Sequence, residues 1–167
     1  LAQWEAGEHK PAIATLEDWM ANHPSDAATN YNLANLYLLA KRHDQAVKTF
    51  AAIVKQQPNH VLALNNLAWS LRDSDPQRAR EYAERAHKLA PESPDVTDTL
   101  AMILLASDTG RAVALLRCAT ERAPARTDLQ YHLAQALVAH GDARQAARVL
   151  DTLLRSNPDF EDRPAAL

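Results

Sequence analysis

The stretch "LANLYLLAKRHDQAVKTFAAIVKQQP", residues 33–58, contains two helical patterns separated by a polar turn. Its first half begins with Leu33 and Ala34, its second half carries Ala46 and Phe50, and Pro58 closes it. Residues four positions apart share one face of an α-helix, and a proline disfavours helix in the residue before it. The stretch therefore predicts a helix, a turn and a second helix that ends near Pro58.

The same pattern returns along the chain at steps of 33 or 34 residues. Prolines keep this step at Pro24, Pro58, Pro91, Pro124 and Pro158, and alanines keep it at Ala12, Ala46, Ala79, Ala112 and Ala146. Leu-Ala pairs keep it as well, beginning at Leu33, Leu67, Leu100 and Leu133. Three patterns in register at this period resemble the tetratricopeptide repeat (TPR), a helix–turn–helix unit.

This resemblance predicts an all-α fold, a right-handed α-solenoid of antiparallel helix pairs known as the TPR superhelix. One unit cannot bury its apolar face alone, so neighbouring units stack and the first helices line a concave face. We expect four full repeats after a leading half repeat, followed by the start of a truncated capping helix. The ranges are 1–26 for the partial repeat, 27–60, 61–93, 94–126 and 127–160 for the full repeats, and 161–167 for the capping helix.

Composition narrows the possible partners. The net charge is -3, and lysine and arginine are interspersed with aspartate and glutamate throughout the chain. A nucleic-acid-binding protein needs clustered positive charge to neutralise phosphates, so nucleic acid is not expected as the partner. A membrane-spanning helix needs roughly 18 or more consecutive apolar residues, and the sequence predicts none.

No residue pattern indicates catalysis or a bound cofactor. The seven histidines are scattered, and none forms an i, i+4 pair or a Cys/His spacing typical of zinc sites. The three glycines, Gly7, Gly110 and Gly141, fall in predicted turns rather than in a phosphate-binding loop. The sequence thus predicts a non-enzymatic protein with no catalytic residue, no metal and no cofactor.

A row of amides and aromatic residues lies between the core positions of the first helices. Asparagine both donates and accepts hydrogen bonds, and tyrosine or tryptophan supplies apolar area at low entropic cost. We therefore predict a concave groove that binds a protein partner, as an extended peptide or a helix. Its candidate residues are Tyr31, Asn32, Asn35, Asn65, Asn66, Trp69, Asp98, Met102, Tyr131, His132 and Gln135. In the alternative interpretation, the amides only solvate the groove and Trp69 packs against the adjacent first helix.

One known TPR function is disfavoured. TPR domains that grip the C-terminal carboxylate of chaperones combine asparagines with lysine and arginine on three successive first helices. Here the equivalent residues are Tyr31 with Asn35, then Asn66, then Asp95 with Thr99. The amides match but the cations are missing, so a carboxylate would lose its charge-assisted hydrogen bonds.

Several phrases resemble a narrower family, the C-terminal region of TPR-repeat proteins, often lipoproteins, of bacterial PEP-CTERM/exosortase systems. They include "LEDWMANHPSDA", "ALNNLAWSL" and "PDFEDRPAAL", whereas "DTLAM" departs from the family's usual "DTLGW". The resemblance implies an envelope or periplasmic protein of a Gram-negative bacterium, linked to exopolysaccharide production and to exported PEP-CTERM proteins. It also implies a lipid anchor in the full-length protein, while a cytoplasmic location stays open.

Two other functions stay open from the residues alone. The chain could be the TPR arm of a larger enzyme, such as a transferase, or a structural spacer that stacks with copies of itself. The sequence begins without Met and stops soon after Pro164, so we expect both ends to be trimmed. Repeat ends exposed in this way could pair two copies into a homodimer.

Overall fold

The computed structural model describes residues 9–156, and this part of the chain folds into helices without any strand. The helices are α1 His9–Asn22, α2 Ala27–Leu39, α3 His43–Gln56, α4 Val61–Leu71, α5 Pro76–Leu89, α6 Pro94–Leu104, α7 Thr109–Arg122, α8 Thr127–His140 and α9 Ala143–Ser156. The chain divides within α5 into two compact units, Leu1–Tyr82 and Ala83–Leu167, called the first and second unit below. The predicted all-α fold is confirmed.

Each predicted full repeat contains two of these helices, and α1 lies within the range 1–26, where the repeat pattern expects the second helix of a unit. In the first unit α1 packs on α2, α2 on α3 and α3 on α4; in the second unit α6, α7, α8 and α9 pack consecutively. Pro24, Pro58, Pro91 and Pro124 each lie two residues after the end of a helix, as expected for residues that cannot continue one. Gly7, Pro158 and the predicted capping helix 161–167 lie outside the described residues.

Side-chain caps fix where several helices begin. Asp26 accepts a hydrogen bond from the Thr29 backbone N–H at 3.1 Å at the start of α2. Asp108 accepts from Arg111 N–H at 3.0 Å at the start of α7, and Ser93 caps α6 in the same way. These caps satisfy backbone N–H groups that have no partner within the helix. Helix starts are thus encoded locally, by the residue that caps each of these helices.

The repeated small residues form the contacts between helices. Ala46, Ala79, Ala112 and Ala146 are all buried, as are the Leu-Ala pairs that begin at Leu33, Leu67, Leu100 and Leu133. Alanine at these places lets neighbouring helices approach closely. The prediction from the repeated alanines is wrong at Ala12. This residue is exposed, while its neighbour Ile13 is buried. Isoleucine gains more from burial than alanine does, so α1 turns its Ile13 side inward.

Lys41 and Gly141 occupy the same turn in two different repeats, and both have left-handed backbones. Their φ angles are 57° and 92°. In each turn the residue's N–H bonds to a carbonyl three positions back, Lys41 to Leu38 and Gly141 to Val138, both at 3.0 Å. Glycine adopts this conformation without steric cost, whereas the Cβ of lysine crowds the following carbonyl.

The paired turns give a stability prediction. Lys41→Gly is expected to raise the free energy of unfolding by about 0.5–1 kcal/mol, since relief of left-handed strain exceeds the entropy added to the unfolded chain. Gly141→Ala is expected to lower it by about 1 kcal/mol; a Cβ there meets no atom within 4 Å, so only the backbone responds. Urea denaturation measures both, with Lys41→Ala as the neutral control. A loss of stability in Lys41→Gly would contradict the assignment.

Candidate functional site

In the first unit, Asn66 joins α4 to α2 through two hydrogen bonds. Its Nδ2 donates to Tyr31 Oη at 3.2 Å and to Asn35 Oδ1 at 3.0 Å. We call these three residues, Tyr31, Asn35 and Asn66, the amide cluster. Because a side-chain amide has only two N–H groups, both donors of Asn66 are used inside the fold. Asn66 can therefore only accept from a ligand, which narrows the sequence hypothesis that every amide of the row both donates and accepts.

The Tyr31 ring is held from two sides. It stacks on His60 with centroids 5.6 Å apart and an interplanar angle of 24°, and it meets Phe50 edge-on at 5.8 Å. His60 is itself fixed, because its Nδ1 accepts from the Ala63 N–H at 3.2 Å and so caps α4. Phe50 is fully buried. The amide cluster is therefore ordered before any ligand arrives, which reduces the entropic cost of binding.

The other first-unit candidates lie in different environments. Asn32 is exposed, whereas the Asn65 Oδ1 is buried and has no hydrogen-bond partner among the described residues. Trp69 is 37% exposed, and the guanidinium of Arg72 lies 3.9 Å from the centroid of its ring. The tryptophan is thus partly covered by a cation from the end of its own helix, and its side chain lies outside the buried core.

In the second unit, two of the candidates bind each other. His132 Nδ1 of α8 lies 2.8 Å from Asp98 Oδ1 of α6, and both side chains are largely buried. His132 occupies the place in its repeat that Asn66 has in range 61–93, and each joins its helix to the preceding first helix. Thr99, at the same place in range 94–126, is buried. The side chains of this row therefore mainly connect one helix to another, rather than forming an open row of ligand-binding groups.

The remaining candidates, Met102, Tyr131 and Gln135, lie together in one cavity of the second unit with a volume of about 470 Å³. We call it the apolar pocket; its full lining is Met102, Leu105, Tyr131, Ala134, Gln135, Val138 and Leu150. Sequence reasoning missed Leu105 and Val138, since they follow the core positions at the ends of α6 and α8. The signal available in the sequence was Val138 itself, an apolar residue that lies off the core face of its helix. In the structure its side chain is 59% exposed.

One cation near the predicted groove was not foreseen. Arg126 donates to Asp95 Oδ1 at 2.9 Å and to Asp128. The guanidinium lowers the pKa of the Asp128 carboxyl, and the hydrogen bonds to both carboxylates raise the pKa of Arg126. The charge of Arg126 is thus already shared between two acidic groups. It does not supply the unpaired cation that binding of a peptide carboxylate requires.

Two further observations apply to residues 9–156 only. Within that range, no group of three or more His, Cys, Asp or Glu side chains is arranged to hold a metal ion. None of its helices is both long enough and apolar enough to cross a membrane.

Comparisons with solved structures identify the fold. MamA residues 41 to end, from Desulfovibrio magneticus RS-1, superimposes with a TM-score of 0.81 over 93% of this chain and 89% of that one, at 18% identity. YrrB, described as a TPR protein with an unusual peptide-binding site, has a TM-score of 0.73 over 92% of this chain and 80% of its own, at 20% identity. At these identities the likeness shows the fold alone.

Sequence comparisons agree. Cellulose synthase 1 operon protein C of Komagataeibacter xylinus is 30% identical over 139 residues, which are 81% of this chain and 10% of that protein. The chain therefore spans about a tenth of the length of this relative. The family model described as tetratricopeptide repeat matches residues 3–68 and 104–167. With most of its length matched, the chain belongs to the tetratricopeptide repeat family.

Proposed function

We propose that this chain is a non-catalytic scaffold that binds a protein partner, as an extended peptide or a helix, along its first helices. The amide cluster carries the proposal. Among the described residues, the two N–H groups of the Asn35 amide on α2 and the carbonyl oxygen of the Asn66 amide on α4 are left without a hydrogen-bond partner. Each peptide unit offers one acceptor and one donor, which these two groups complement. The TPR fold is generally an interaction module, and the peptide-binding site named for YrrB supports the same use here.

Trp69 extends this surface by one helical turn. Residues three positions apart share a helix face, so the indole lies beside Asn66 along α4. Part of the ring is open to solvent. A rigid aromatic ring next to fixed hydrogen-bonding groups is the composition found at the energetic centre of many interfaces.

Trp69→Ala is expected to weaken partner binding about tenfold or more, as for an interface hot spot. The same change is expected to lower the free energy of unfolding by only about 1 kcal/mol, less than the cost of truncating a buried aromatic. Binding is measured by titration with the captured partner, and stability by urea denaturation. A stability loss of about 3 kcal/mol or more would place Trp69 in the core and contradict its assignment to the binding surface.

The partner can be captured by site-specific photo-crosslinking. A benzophenone amino acid at position 32 lies next to the amide cluster, and the same group at position 48 of α3 serves as the control, because Asn32 and Lys48 are both exposed. We expect an adduct from position 32 that decreases in Trp69→Ala, and none from position 48. Equal adducts at both positions would contradict the proposed binding surface.

We further propose that the scaffold works in the bacterial cell envelope, in exopolysaccharide production and in the sorting of exported PEP-CTERM proteins, held by a lipid anchor in the full-length protein. The name of the cellulose synthase operon relative supports the exopolysaccharide part; the other parts follow from sequence resemblance. Mass spectrometry of the position-32 adduct tests the proposal in fractionated cells. A partner from the envelope fraction with a role in polysaccharide export or protein sorting is expected, and a cytosolic partner would contradict it.

The same experiment, together with the sequence of the full-length gene, separates the two alternatives. A second copy of this chain as the adduct would support the self-associating spacer or homodimer. A catalytic domain encoded in the same full-length gene would support the arm of a larger enzyme. A distinct protein as the adduct, with no catalytic domain in the gene, supports the independent scaffold.

A further inference from the structure

The apolar pocket differs chemically from the amide cluster. None of its seven lining residues carries a charge. Its polar groups are the Tyr131 hydroxyl and the Gln135 amide, which lie one turn apart on α8, and Gln135 is exposed at the rim. A charged ligand group would lose its hydration there without gaining an opposite charge. The lining therefore selects an uncharged, apolar group.

The residue types of the lining select further among apolar groups. Met102 belongs to α6 and Tyr131 to α8, so a thioether and an aromatic ring line the same cavity from two helices. A methionine sulfur interacts favourably with aromatic rings, and an aromatic ring prefers another ring in an edge-to-face or offset arrangement. An aromatic guest gains from both walls, whereas an aliphatic guest gains only from burial. The flexible Met102 side chain can also adjust to the shape of the guest.

We propose that the apolar pocket binds an aromatic side chain, of phenylalanine or tryptophan, from the peptide partner; this inference rests on the proposed function. A cavity of about 470 Å³ lies within the size range of pockets that hold small ligands. Val138 supplies exposed apolar surface, and the exposed Gln135 amide can hydrogen-bond to the backbone of the partner. The pocket thus sets which residue the partner presents to the second unit.

Capped amino acids test this selectivity without knowledge of the partner. We would titrate the isotope-labelled chain with N-acetylphenylalaninamide, N-acetylleucinamide and N-acetylserinamide and record amide chemical shifts by NMR. The phenylalanine probe is expected to bind with a dissociation constant in roughly the millimolar range typical of such small ligands, with shifts at Met102, Tyr131, Gln135 and Val138. The leucine probe is expected to bind more weakly and the serine probe to give no shifts there.

Two variants with one matched control localise the effect. Val138→Ser is expected to abolish the shifts, while Leu62→Ser, at a comparably exposed apolar residue of the first unit, leaves them unchanged. Met102→Leu keeps apolar volume but removes the sulfur, so the preference for phenylalanine over leucine is expected to fall about two- to tenfold. Thermal unfolding of each variant checks that the fold is intact.

The proposal is overturned if the leucine probe binds as tightly as the phenylalanine probe, or if no probe shifts the pocket residues. Its failure is distinguishable from failure of the scaffold proposal. An adduct at position 32 together with an unresponsive pocket defeats only the aromatic anchor. A responsive pocket with no adduct at position 32 or elsewhere on the first helices defeats the peptide scaffold.

Discussion

Phe50→Ala is expected to lower the free energy of unfolding by about 3–5 kcal/mol, the range for truncating a buried phenylalanine. The ring is fully buried in α3 and lies edge-on to Tyr31 of α2 at 5.8 Å. Alanine would leave a cavity next to the amide cluster and release one side of the Tyr31 ring. Urea denaturation followed by circular dichroism measures the loss, and hydrogen exchange in α2 and α4 shows whether it spreads.

A matched control is Phe50→Leu, which keeps most of the apolar volume and is expected to cost less than about 1.5 kcal/mol. The repeat pattern places Ala83 at the equivalent position of the next repeat, where it is also buried. The same buried position therefore holds a large side chain in one repeat and a small one in the next. Equal costs for Phe50→Ala and Phe50→Leu would contradict the packing assigned to the buried Phe50 ring, and unchanged hydrogen exchange in α2 would show that Tyr31 does not depend on it.

Adjacent residues of α4 give the second large effect. Leu67→Ala is expected to cost about 2–5 kcal/mol, since Leu67 is fully buried. Asn66→Ala, one position earlier, is expected to cost about 1–2 kcal/mol, because it removes two half-buried hydrogen bonds to Tyr31 and Asn35. Asn66→Ala is also expected to weaken partner binding, since it frees the Asn35 and Tyr31 side chains.

The exposed Asn32 provides the control for this comparison. Asn32→Ala is expected to change the free energy of unfolding by less than about 0.5 kcal/mol, as for most surface substitutions. Chemical denaturation of the three variants under one set of conditions gives the order Leu67, Asn66, Asn32. Equal losses for Leu67→Ala and Asn66→Ala would overturn the assignment of core and ligand faces to α4.

Most of the fold could be predicted because its contacts recur at a fixed step. Buried alanines such as Ala46 and Ala112 lie where two helices cross, and the same crossing returns in every repeat. The prediction was wrong at Ala12, where α1 buries the larger neighbouring Ile13 instead. The spacing of the alanines alone does not show which side of α1 faces inward.

The site was less predictable, since its contacts run diagonally between repeats. Asn66 bonds to Tyr31, which lies 35 positions earlier in the chain, and to Asn35, which lies 31 positions earlier. Neither separation equals the repeat step of 33 or 34. His132 bonds to Asp98 in the same diagonal way, because the residue equivalent to His132 in the preceding repeat is Thr99 rather than Asp98. The apolar pocket is lined from different helices, by Met102 of α6 and by Tyr131 and Ala134 of α8, which is a property of three-dimensional packing.

The uncharged linings of the amide cluster and the apolar pocket have a consequence for association kinetics. Salt screens attraction between charged surfaces, and steering by such attraction can raise association rates far above the roughly 10⁵–10⁶ M⁻¹s⁻¹ of neutral encounters. A partner recognised as proposed, by amides and aromatic contacts, is expected to arrive without that acceleration, and its affinity is expected to depend only weakly on ionic strength, chiefly through the Arg72 guanidinium on Trp69. Recognition of this kind works best where tethering keeps the partner at a high effective concentration.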